Sequence, residues 1–133
     1  MEDRVKKALE NHKSGYNCAQ SVACAYCDLF GMDEETAFRM TEALGFGMGH
    51  MGTCGAVTAM AAVVGMKLSD GNLTTPATKK QCYKMMKAMN QEFLDKNTSV
   101  SCAELKGTTG GEVLRSCDGC VEDAARIIEK NLL

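Results

Sequence analysis

Eight cysteines stand among the 133 residues, and four of them share one kind of neighbour. Cys18 follows Asn17, Cys54 follows Thr53, Cys102 follows Ser101 and Cys117 follows Ser116. Asn, Thr and Ser cap helix N-termini, so each of these cysteines is expected in a first helical turn. Ser101-Cys102-Ala103-Glu104 also carries the capping-box pattern, with Glu104 at the third helical position. A helix start presents unpaired N–H groups and a partial positive charge of about half a unit, and both favour thiolate over thiol. A thiolate binds metals, exchanges disulfides and reacts with oxidants. If the fold gathers the four, they form a single thiolate cluster.

The other four follow weaker caps. Cys24 and Cys82 sit at core spacing in helix bodies, which predicts packing. Cys24-Ala25-Tyr26-Cys27 falls in mid-helix and is also read mainly as core. Cys117-Asp118-Gly119-Cys120 lies at a loop-to-helix boundary, as dithiol redox sites do, but lacks the βαβ context of a thioredoxin. The two pairs are about ninety residues apart, unlike a zinc ribbon.

Five of the residues from Gly45 to Gly55 are glycine. No strand pattern precedes this stretch and no Lys-Ser/Thr ends it, so nucleotide binding is rejected as the first choice. Its two readings are tight turns between close helices, or backbone lying against a cofactor or second subunit with N–H groups facing Cys54. On the second reading Gly52 and Gly55 are cofactor-binding. His50, in the same stretch, is read as a solvated loop residue or as a proton donor or ligand. His12 is a dipole partner at a helix end, and Glu122-Asp123 are acidic residues of a first turn.

Such residues need elements to position them. Apolar residues make up 45% of the chain, enough for one core, and the length fits a single domain over 1–133. Fifteen basic against 17 acidic residues, net charge -2, give no field for nucleic acid. The longest apolar stretch, Ala56 to Met66, is far below the roughly 20 residues of a membrane span, so no membrane insertion is expected. Met-Glu-Asp-Arg lacks a secretory-signal layout, which predicts a cytoplasmic, reducing location.

The apolar spacing predicts an all-α bundle of about five to seven helices with a Gly-rich loop. Helices are expected over 3–13, 18–30, 34–44, 54–66 and 76–96, near Cys102, and from about Cys117 to Leu132. Thr75-Pro76 is read as N-cap and first residue of the longest helix. Leu29 and Met40 are assigned to the core. Cys82, Met85, Met86, Met89 and Phe93 form the inner stripe of the longest helix.

Gly15-Tyr16-Asn17-Cys18-Ala19-Gln20, Gly52-Thr53-Cys54-Gly55-Ala56-Val57-Thr58-Ala59, Ser101-Cys102-Ala103-Glu104-Leu105 and then Cys117 resemble the redox-active protein family named for its C…CGAxxG…C…C cysteines (C_GCAxxG_C_C). The resemblance implies a small helical domain with a redox role centred on Cys18, Cys54, Cys102 and Cys117. It also hints at an iron–sulfur cluster. The second glycine of CGAxxG is Ala59 here, so one methyl must be accommodated.

The expected function is redox, with Cys54 and Cys117 as reactive thiols. A [2Fe–2S] cluster for electron transfer on Cys18, Cys54, Cys102 and Cys117 is preferred, since that cluster takes four thiolates. Structural zinc on the same ligands, cofactor-free thiol–disulfide chemistry and a helical binding module are the alternatives. The redox partner is unknown, and the Gly-rich loop allows a homodimer.

Overall fold

The computed structural model describes residues 3–133. Among them are seven α-helices and no strand beyond one isolated bridge, Thr53 to Ser101. The all-α bundle with a Gly-rich loop is what the apolar spacing requires. No helix of the described residues is long and apolar enough to cross a membrane.

Short polar caps set most helix starts. Asp3 accepts the Lys6 N–H and opens α1 (Arg4–Lys13). Asn17 and Gln20 form a complete capping box on α2 (Cys18–Tyr26). Asp33 caps α3 (Glu34–Thr41). Ser101 caps α6 (Cys102–Lys106), and Ser116 caps α7 (Cys117–Leu132). At α4 (Gly55–Leu68) the N-cap is Cys54 itself and not Thr53. Thr53 is held extended by its bridge to Ser101, and the Cys54 N–H donates to the Val100 carbonyl at 2.7 Å, so the helix begins one residue later than expected.

Helix α5 (Lys79–Asn97) also departs from expectation. The Asn72 side chain accepts the N–H groups of Thr74 and Thr75, which keeps Thr75-Pro76 in the preceding loop. Thr78 becomes the N-cap, without a side-chain bond. Only Met89 and Phe93 of the expected stripe are fully buried, because the first turns of α5 run along the rim of the bundle. Cys27–Phe30 tightens into a 3-10 turn ending at Gly31 (φ 80°), and Leu29 turns out to 43% exposure. Met40 is likewise outside, at 64%.

Helices α2 and α4 form the centre. Nearly every side chain of α2 from Ala19 on is buried, and α4 buries Ala56, Val57, Ala59, Met60, Val63 and Val64. Helices apolar all round belong inside a bundle. Helices α1 and α7 cover α2, while α5 and α7 cover α4. The buried Tyr26 hydroxyl donates to the Ala125 carbonyl at 2.8 Å and ties α2 to α7. The Ala59 methyl lies in this core with no exposure, so the packing does accommodate it.

Candidate functional site

The starts of α2, α4, α6 and α7 converge on one cavity of about 210 Å³. Cys18, Cys54, Cys102 and Cys117, far apart in sequence, all line it. Cys120 joins them one turn into α7. All eight cysteines are free thiols. Gly55 lines the cavity too, whereas Gly52 lies behind it and accepts the Cys102 N–H at 2.6 Å. His50 is exposed and outside the lining, and its ring rests near Gly52.

The Gly-rich segment makes the convergence sterically feasible. A Cβ on Gly55 would sit 2.5 Å from the Cys18 sulfur, and one on Gly47 would sit 2.8 Å from the Cys102 Cβ. Real Cβ atoms do not come so near, so the helix starts meet only across glycine. Phe46, Met48 and Met51 lie here with φ of 55°, 61° and 61°. Such left-handed backbone costs a non-glycine residue of order 1 kcal/mol or more, and it clusters where surrounding structure imposes it. The loop N–H that faces a thiol is that of Phe46, and the thiol is Cys18, not Cys54.

The thiols differ in character. Burial pushes Cys18 and Cys102 upward, against the expectation that every helix start lowers its cysteine. At Cys18 desolvation outweighs the N–H groups of Phe46 and Ala19, and at Cys102 it outweighs the charge of Lys106. Cys54 goes the other way, down to about 7. The main cause is a hydrogen bond from the Cys120 thiol, strong enough to overcome burial. The N–H groups of Ala56 and Val57 and the charge of Lys106 add to it. Those two N–H groups face the sulfur without forming a full side-chain cap bond. Cys120, as donor in a buried place, is pushed far above the usual thiol range.

Three basic residues also line the cavity: His12, Lys106 and Arg115. Lys106 lies over the Phe46 ring, 4.8 Å from its centroid. Arg115 is anchored on Asp123 by Nε at 3.0 Å and Nη2 at 3.1 Å. Asp123 is 2% exposed and also accepts from Lys96 and Asn97. Burial alone would raise its carboxyl, but these three donors hold it below the usual range. Its role is therefore to anchor Arg115, which a first-turn acidic residue would not do. His12, read as a dipole partner, pairs with Asp118 of α7.

Cys24 and Cys27 form a separate buried cluster with Ala37, and their thiols face the carbonyls of Glu34 and Cys24. Cys82 is half-buried on α5 and does not line the cavity. Sequence reasoning left the role of Cys120 open and left out Lys106 and Arg115. Cys120 had a signal, its Cys-x-x-Cys spacing to Cys117. The two cations had none, since only the loop 107–116 folding back on Leu105 brings Arg115 beside Lys106.

An all-α bundle whose helix starts bring five thiols to one cavity defines a cysteine-centred class of protein. Residues 16–131 match the family described as "Putative redox-active protein (C_GCAxxG_C_C)". The chain belongs to that family. No curated protein and no solved structure matches it.

Proposed function

We propose that this protein performs thiol–disulfide exchange through Cys54 and Cys120. The observation that carries the reading is that these two thiols line one cavity, where Cys120 is the leading cause that lowers Cys54. The Cys54 thiolate attacks one sulfur of a substrate disulfide. A new S–S bond forms, the substrate S–S bond breaks, and one substrate thiolate leaves and takes up a proton. Cys120 then gives up its proton and attacks the Cys54 sulfur. The second substrate thiolate leaves and is protonated. The protein loses two electrons and two protons, and the substrate gains both. A low-pKa attacking thiol and a protonated second thiol suit this order.

The test is a thiol count. Reduced protein exposed to a small disulfide should lose two thiols per chain. Cys54→Ser should abolish the loss, and Cys82→Ser should leave it intact while affecting stability. Unchanged loss in Cys54→Ser would contradict the assignment.

A second reading has its own observation: Cys18, Cys54, Cys102 and Cys117 share one cavity. Four thiols are the donor set of a [2Fe–2S] cluster, which would supply one-electron transfer when bound. Zinc would use the same ligands without redox activity. The donor chemistry fits. The spacing does not, since among the described residues no three His, Cys, Asp or Glu side chains are gathered closely enough to hold a metal ion. The dithiol reading therefore comes first. Visible absorbance that bleaches on reduction of anaerobically purified protein would favour the cluster, and stoichiometric zinc in colourless protein the structural site.

A further inference from the structure

The cavity around Cys54 is lined by cations and by no carboxylate among the described residues. Among the described residues Lys106 makes no ion pair, and it lies over the face of Phe46. Arg115 spends Nε and Nη2 on Asp123, and its Nη1 has no partner among the described residues. Its place is built. A Cβ on Gly119 would lie 2.4 Å from the Arg115 Nε, so the guanidinium crosses the first turn of α7 only because that residue is glycine. Lys96 and Asn97 fix Asp123 from the other side. Glu122 lies 3.7 Å from Arg115 Nη2 but pairs more closely with Arg126, at 2.9 Å.

From this arrangement we infer that the cavity selects small disulfides or thiols that carry a carboxylate, with Lys106 and Arg115 receiving the anion beside the Cys54 sulfur. Its chemistry rests on the dithiol reading above. Phe46 and Leu105 supply apolar walls for the short carbon chain between sulfur and carboxylate. At about 210 Å³ the cavity is below the roughly 300–1,000 Å³ of pockets that enclose drug-sized ligands. That is room for one half of a small disulfide and not for a folded peptide segment. Cations converging on a partly desolvated pocket attract an anion far more strongly than the same charges in open solvent.

The experiment compares 3,3′-dithiodipropionate, a dianion, with neutral 2-hydroxyethyl disulfide. Rates are measured on the reduced full chain, with the urea-unfolded chain as reference. The folded protein should raise the anionic-to-neutral rate ratio about tenfold over the unfolded chain. Lys106→Gln should bring the ratio back towards the unfolded value, and Lys87→Gln, on the exposed face of α5, should not. A weaker thiolate in Lys106→Gln slows both reagents alike and cancels in the ratio. Arg115→Gln should act as Lys106→Gln does. If loss of the Asp123 anchor unfolds it, Lys106→Gln decides alone. A folded ratio equal to the unfolded one, or one untouched by Lys106→Gln, overturns the inference. If neither disulfide removes two thiols, the dithiol reading fails. The ratio of iodoacetate to iodoacetamide alkylation at Cys54 then judges the anion preference on its own: a ratio no higher than that of the unfolded chain overturns it.

Discussion

Cys54 and Cys120 are the same side chain in opposite surroundings. Cys54 is lowered by the neighbouring Cys120 thiol and by two N–H groups, while Cys120 is raised by Cys54 and by desolvation. Alkylation of Cys54 should therefore follow a titration with a midpoint near pH 7 rather than near 9. Cys120→Ala removes the leading cause and should move that midpoint upward by about a unit or more. An unmoved midpoint would show that the helix N–H groups and Lys106 suffice. Pairing each cysteine with the residue before it selected four thiols of the cavity. It missed Cys120 because Gly119 is no strong cap and Cys120 acts from inside the helix. It also misjudged Cys18 and Cys102, since burial is a tertiary property that no preceding residue reports.

At the scale of elements, caps and glycines decide where sulfurs stand. Asn17 accepts the Gln20 N–H and donates to the Glu42 carbonyl at 2.8 Å, fixing α2 against the turn before the Gly-rich loop. Asn17→Ala should lower unfolding free energy by about 1–2 kcal/mol, as chemical denaturation would read. Gly55→Ala forces a methyl against the Cys18 sulfur and, at 3.0 Å, against the Leu44 carbonyl. The expected cost is about 1–3 kcal/mol, with an altered Cys18 reactivity in the same variant. The helices themselves were legible from apolar spacing and caps. The start of α5 was not. Thr75-Pro76 is a sound opening in isolation, but the Asn72 turn claims the backbone first.

The whole molecule sums the thiol shifts into a pH profile. Cys54 is lowered, so its contribution is full above the ordinary thiol value near 9 and is lost as pH falls through 7. Cys18, Cys24, Cys27, Cys102 and Cys120 are raised, so their contributions are full below 9 and are lost as pH rises above it. Urea denaturation should show stability rising from pH 7 towards 9 and falling beyond. A profile that climbs steadily past pH 10 would contradict the burial of these thiols. The convergence of four helix starts was a condition the sequence posed and could not answer, because it depends on how α2, α4, α6 and α7 pack. The packing also separates Cys24 and Cys27 from the cavity and buries them, as their mid-helix position led one to expect.

The most direct measurement is a peptide map of the protein oxidised by a small disulfide, with free thiols blocked before digestion. The account predicts one dominant cross-link joining Cys54 to Cys120, with Cys24, Cys27 and Cys82 recovered blocked. A map in which Cys54 and Cys120 are both recovered unlinked, or are joined to other partners, would contradict it.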